Sequence, residues 1–438
     1  MTWDPLMQWD TLILGGGVAG LSAAVQLLRS GRRPLLLEAA PNLGGRARSF
    51  HDHRLQQQLD NGPHLCVGAY HHFLSLLEQI GSRHQLTAVD LPFWSEPTGW
   101  YQLSCPDGPP PWQLLAALWR CSVVQWHHGP ALLRLGRALR ADSVPDDQQS
   151  VTHWLQQLGQ PADLCQYLWG PLCQAALNEP PASASAALLA TVLRRTFLGQ
   201  RGDAQILMAR VPLNDLIARP ARRYIEAHGG HLMTRTRVTA LEQRSGRISA
   251  VITSQGQIDT SQGVPVIAAL PLSALRRLLP QWSESTGLHQ LSFSPIVTVH
   301  TQYQRSAQLS TPLAGLPLNP SQWLFDRQTD PAGGARITAV ISAAYRESSW
   351  SAQRLLSTVH QDITRLLPQL AQETPVFRIV REQRATLAAW PGSSHWRPVS
   401  TTPWHNLLLA GDWTSTGVPA TLEGAAMSGV VAARAVVS

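Results

Sequence analysis

The sequence predicts an α/β protein, with a Rossmann-like nucleotide-binding domain accompanied by a second, α+β domain. Three observations predict it. A short apolar run, Thr11–Leu14, passes into Gly15, Gly17 and Gly20 in the order G-x-G-x-x-G and then into a helical pattern over residues 21–28. A second apolar run, Pro34–Leu37, ends in an acid, Glu38. The 438 residues exceed what one hydrophobic core usually serves, and residues 89–204 and 286–399 carry helix and strand patterns of their own.

The elements follow in chain order. Gly15 permits a tight turn, Gly17 the close approach of a pyrophosphate, and Gly20 the packing of the helix on its strand. With Ala19, they form a cradle whose free N–H groups and partial positive charge suit phosphate. Glu38 stands eighteen positions after Gly20, where a carboxylate accepts from ribose hydroxyls and repels a 2′-phosphate. Then comes AAPNLGGRARS, in which Gly44, Gly45 and Arg46 can close backbone and guanidinium over the pyrophosphate from its second side. In LDNGPHLCVGAY, residues 59–70, the local reading of Asp60-Asn61-Gly62 is a type I′ hairpin turn.

The stretch 89–204 reads as helical. Trp112, Leu115, Ala116, Trp119, Val123 and Trp126 fall at helical spacing on one face, and Arg134, Arg137 and Arg140 follow three apart. Segment 110–140 therefore suits the interfacial plane of an anionic bilayer, and equally a pair of packed helices with a solvated basic edge. Strands are expected over 234–241, with Val238, over 248–253 and within 264–275. Residues 286–399 show strands at 296–303 and 337–342, an amphipathic helix at 352–367 and a strand at 377–384, suggesting a sheet that floors a pocket. Near the C-terminus LLLAGDWTSTGVPATLEGAAMSG breaks at Gly411-Asp412 and turns helical near 420–423, where the only charge is Glu423.

Composition excludes several classes. The five cysteines are odd in number and form no C-x-x-C pair, which disfavours disulfides and structural zinc. His51 with His53, His71 with His72, and His127 with His128 lack carboxylates at ligand spacing, so no metal is expected. The arginines are dispersed and no nucleic-acid motif is present. No signal-peptide pattern opens the chain, and no run reaches the roughly 20 apolar residues of a membrane span. All 35 basic residues are arginine, so a lysine Schiff base is impossible.

The glycine fingerprint, the Gly44-Gly45-Arg46 segment and the C-terminal Gly411-Asp412 stretch together resemble the FAD-dependent amine oxidase and phytoene desaturase superfamily. LDNGPHLCVGAY and AGDWTSTGVPATLEGAAMSG are most similar to the hydroxysqualene dehydroxylases. The resemblance implies an FAD-binding domain from 1–88, 205–285 and 400–438, interrupted by a substrate domain from 89–204 and 286–399. It implies FAD held by both chain ends: Asn61, Gly62, Val238, Gly411, Asp412, Ala420, Thr421 and Leu422 join the residues named above. FAD is expected to be non-covalent, since no cysteine or histidine sits in the C-terminal motif. The absence of lysine also removes the residue that flavin amine oxidases carry beside flavin N5. The implied reaction is reductive removal of the hydroxyl of hydroxysqualene to give squalene, by hydride transfer from reduced flavin to an allylic cation. The alternative is a phytoene-type desaturase or another flavin oxidase of a hydrophobic substrate. His64 is the candidate acid, and Tyr70 and Trp413 candidates to line the pocket. A C30 isoprenoid substrate, cytoplasmic location on the inner membrane face and contact with the prenyl synthases upstream complete the expectations.

Overall fold

The computed structural model describes residues 8–105, 108, 112–141, 145–327 and 333–437. Residues 110–111 of the segment 110–140, and the side chain of Leu115, lie outside the described residues. Six helices serve the description: α1 (Val18–Arg29), α2 (His71–Gln79), α3 (Trp112–Arg120), α4 (Gly129–Arg140), α5 (Ala186–Phe197) and α6 (Leu422–Val437).

The strand Thr11–Leu14 is apolar on both faces because it lies at the centre of a parallel sheet. Five strands run in the order His231–Met233, Pro34–Leu37, Thr11–Leu14, Val266–Ala268, Leu407–Leu409. Alternate side chains serve different layers. Ile13, Leu36 and Ile267 face α1 and α6, whereas Leu12, Leu14, Leu35 and Leu37 face an antiparallel sheet of Val238–Arg244, Arg247–Thr253 and Gly256–Asp259. Helix α6 lies against α1, so the last helix of the chain covers the first.

A second sheet has seven strands, in the order Val376–Leu387, Phe293–Gln302, Arg336–Ile341, Trp323–Asp326, Leu313–Gly315, Leu91–Ser95, Gly99–Leu103. The strands expected near 296–303, 337–342 and 377–384 are all in it, and the helix expected over 352–367 is Ala352–Leu366. The stretch 89–204 is not helical throughout. It opens with the hairpin Leu91–Ser95 and Gly99–Leu103, which joins the sheet through Phe93 opposite Gly315. Strands of five residues are too short to show a convincing alternation.

Two further local expectations change. Asp60-Asn61-Gly62 is no type I′ turn, because neither Asn61 nor Gly62 has positive φ. The strand before it, Gln57–Asp60, pairs with Ser49–Asp52, and the strand after it, Leu65–Val67, pairs with Ile206–Ala209. The three residues thus bridge two sheets. The tryptophan face is also broken, since α3 stops at Arg120 and Trp126 opens a separate short 3-10 turn.

Candidate functional site

Helix α1 begins at Gly17 with no side chain capping its N–H groups and no acid in its first turn. Backbone donors of the first turn are therefore left without a side-chain partner, open to a ligand. A Cβ on Gly20 would overlap the carbonyl oxygen of Gly15, so that glycine serves the packing of helix on turn. A Cβ on Gly17 would meet nothing nearer than the Cα of Gly45 at 3.9 Å. Space is thus kept open at Gly17, between two glycine backbones, because Gly44 N–H donates to Gly16 O at 2.8 Å. Ala19 is buried beyond it in the first turn of α1.

Glu38 is aimed by its own neighbours. One carboxylate oxygen accepts from Gly16 N–H and the other from Ala40 N–H, both at 2.7 Å. Thr236 N–H donates to Glu38 O, which brings the chain leading to Val238 alongside this carboxylate. Such an acid beside a glycine turn is suited to a ribose.

Arg46 joins the two ends of the chain. Its guanidinium donates to Asp412 at 2.6 Å and to Ala385 O at 2.8 Å. Desolvation works against its charge, but Asp412 and Glu382 outweigh this and raise its pKa. Asn61 lies beside it, with its amide 3.4 Å from both Arg46 O and Glu382. Gly62 follows, close to the Thr298 hydroxyl. Glu382 carries no sequence signal, because it belongs to a long strand in which nothing marks that position.

At the other end, Gly411 N–H donates to the Ser428 hydroxyl of α6, fixing the strand end on the helix. Ala420 and Thr421 lead into α6, whose first residue is Leu422. The Tyr70 ring packs against the same apolar cluster as Leu422, beside the start of that helix, and burial raises its pKa. Glu423 looks the other way. Its carboxylate accepts from the N–H groups of His72 and Phe73 at 2.9 and 3.0 Å and from the His72 ring and Arg195. It thereby caps α2 and ties α5 to α6, which leaves the first turn of α6 free of an acid on its open side.

The expected pocket residue Trp413 and the expected acid His64 behave differently. Trp413 is only 2 % exposed, packs in the apolar cluster beneath the parallel sheet and donates its indole N–H to Leu270 O at 3.0 Å. It is a core residue and does not line a pocket. His64 donates from Nδ1 to Gly62 O at 2.8 Å, leaving Nε2 as an acceptor in the neutral ring. Burial first, and the charges of Arg46 and Arg327 after it, hold its pKa below the usual histidine range. A neutral imidazole presenting a lone pair accepts a hydrogen bond better than it delivers a proton.

The fold also brings Asp163 to His127 and His128, a carboxylate that the linear spacing did not reveal. Gln125 N–H donates to His128 Nδ1 at 3.1 Å, so the neutral ring carries its proton on Nε2, 3.1 Å from Asp163. That tautomer offers no lone pair to a metal on the Asp163 side.

An open glycine cradle, an aimed acid and a guanidinium paired across the chain fit a dinucleotide. The residues 18–437 match the model of the family described as flavin containing amine oxidoreductase. The chain belongs to this family. Its cofactor is FAD. Among relatives, this chain is 30% identical over 432 residues to a hydroxysqualene dehydroxylase of Zymomonas mobilis subsp. mobilis, covering 97% of this chain and 98% of that one. It is 25% identical to a 15-cis-phytoene desaturase of Synechococcus elongatus, over 97% of this chain and 95% of the other. An oxidoreductase from Methanosarcina mazei shares the fold, with a TM-score of 0.73 at 15% identity over 96% of this chain and 99% of that one.

Proposed function

We propose that this chain is an FAD-dependent dehydroxylase that reduces hydroxysqualene to squalene. The observation that carries the reading is the end-to-end similarity to hydroxysqualene dehydroxylases, which exceeds that to phytoene desaturases. Gly15, Gly17, Ala19 and Gly20, with Gly44, Gly45 and Arg46, would hold the pyrophosphate, and Glu38 with the chain near Val238 the adenosine. Asn61, Gly62, Gly411, Asp412, Ala420, Thr421 and Leu422 would hold the flavin half, without a covalent bond. Bound FAD, when reduced, supplies the hydride.

The overall change consumes a hydride and a proton, breaks one allylic C–O bond, forms one C–H bond and releases water. The protein's task is to orient the hydroxyl and exclude solvent while positive charge develops on the allylic carbon. His64, neutral and with Nε2 free to accept, orients the hydroxyl by taking a hydrogen bond from it. Tyr70 closes the wall beside the start of α6 as a neutral phenol. Hydroxysqualene added without oxygen to the photoreduced protein should restore the absorbance of oxidised flavin and yield squalene. Reduced flavin indifferent to that alcohol, with oxidised flavin bleached by a polyene, would replace this reading with oxidative desaturation.

A C30 substrate of this kind resides in lipid, and the surface is built to meet it. Trp112, Trp119 and Trp126 are 66, 86 and 92 % exposed, with Leu133 and Trp100 also open to solvent. That exposure supports the interfacial reading over one in which these tryptophans form the seam of packed helices. Arg120 shares α3 with Trp112 and Trp119, and Arg137 and Arg140 share α4 with Leu133. Bare indoles beside arginines favour the interface of an anionic bilayer, here the inner face of the cytoplasmic membrane, where the prenyl synthases that make the substrate are proposed neighbours. No helix among the described residues is long and apolar enough to cross a membrane.

A further inference from the structure

Arg397 lies outside every motif named so far, just after the short 3-10 turn Ser393–Trp396. Its side chain is buried, with the residue only 7 % exposed. One terminal nitrogen donates to Val418 O and the other to Asp412 O, each at 2.6 Å, and the latter also to the Thr416 hydroxyl at 3.3 Å. All three acceptors belong to the loop between the last strand of the parallel sheet and α6. The backbone beside Arg397 is stitched to the same loop, since Ser415 N–H donates to Pro398 O at 2.7 Å.

Asp412 is thus divided between two arginines. Its carboxylate goes to Arg46 and its carbonyl to Arg397. No carboxylate is hydrogen-bonded to Arg397 among the described residues; its charge rests on carbonyl and hydroxyl oxygens alone. Burial pushes the guanidinium down to about 10, which keeps it protonated at neutral pH. A buried cation with no ion-pair partner is costly unless something else in the site uses its field. Reduced flavin carries more negative charge than oxidised flavin, so a fixed positive charge in the loop that binds it favours the reduced form.

We propose that Arg397 is a positioning residue for FAD, drawing the carbonyls of Asp412 and Val418 toward itself and setting one positive charge in the cofactor loop. Geometry governs how tightly oxidised FAD binds. Charge governs how much more tightly the reduced form binds, and so the potential of the bound flavin. The proposal rests on the FAD site alone and is independent of the substrate.

Two variants separate the parts. Arg397→Gln keeps a short donor and loses the charge, whereas Arg397→Lys keeps the charge and loses the forked reach. The FAD dissociation constant of the deflavinated protein and the midpoint potential of the bound flavin would be measured for each, with the melting temperature of the apoprotein as control. The glutamine variant should bind FAD at least tenfold more weakly, and a tenfold loss of preference for the reduced form would lower a two-electron potential by about 30 mV. The lysine variant should bind more weakly at an unchanged potential. A glutamine variant with parental affinity and potential, whatever its melting temperature, overturns the proposal, as does a lysine variant whose potential falls as far as that of the glutamine variant. Should the glutamine variant not fold, the lysine variant decides: weaker binding at an unchanged potential supports the proposal, and parental affinity overturns it.

Discussion

At Gly17 the missing side chain leaves room that no other part of the protein fills. Gly17→Val should therefore fold and melt like the parent apoprotein while losing FAD, because the added methyl groups occupy the phosphate space. Flavin absorbance and calorimetry check this, and full flavin occupancy in the variant would refute it. The same substitution at Gly20 would strike backbone and is expected to abolish folding. These glycines were legible in the sequence because their chemistry is local, set by spacing within six residues. His64 was only half legible. Its position could be read, but its tautomer depends on Gly62 O and its lowered pKa on burial, neither of which is written in neighbouring letters. Trp413 was misread for the reverse reason, since adjacency to Asp412 in sequence says nothing about which side of a strand end the ring turns to.

Helices α3 and α4 show what element-scale reading can miss. Spacing of seven placed Trp119 and Trp126 on one face, yet α3 ends six residues before Trp126, and no glycine or proline between Arg120 and Gln125 announces the break. The exposure of the rings survives that error. Replacing Trp112, Trp119 and Trp126 together with serine should reduce flotation with anionic liposomes severalfold and leave FAD content and melting temperature unchanged, because none of the three supports the core. Flotation equal to the parent would assign the patch to another partner. The long strands of the seven-stranded sheet were readable from alternation, whereas its short edge hairpin Leu91–Ser95 and Gly99–Leu103 was not.

Across the whole molecule, the joint between the sheets contains a buried histidine whose surroundings oppose its protonation. His300 sits on the strand Phe293–Gln302, bonded to the Thr338 hydroxyl and to Asp60 O at 3.0 and 3.1 Å. Desolvation and the charge of Arg327 push its pKa from 6.5 to about 4, against the opposing pull of the Asp60 and Asp52 carboxylates. The unfolded chain therefore takes up this proton below about pH 6.5, while the folded protein resists until about pH 4. Stability is lost as pH falls through that window, by up to about 3 kcal/mol from this residue. Urea unfolding at pH 7.5 and pH 5 should show the loss, and His300→Gln should flatten it. A variant with an undiminished pH slope would place the effect elsewhere.

The pairing of Arg46 with Asp412, 366 residues apart, has a consequence for the birth of the protein. During synthesis the first strand, its glycine turn and Glu38 emerge early, but the strand Leu407–Leu409 and α6 emerge much later. Until they do, Val266–Ala268 is an open edge that can recruit other chains, and the apolar side of α1 lacks its cover. On the proposed site, FAD capture from both sides waits until the strand Leu407–Leu409 and α6 have been made. A chain stopped after Asn406 should carry no flavin when purified and should be found with chaperones, whereas the full chain supplied with FAD after synthesis should turn yellow without further assistance.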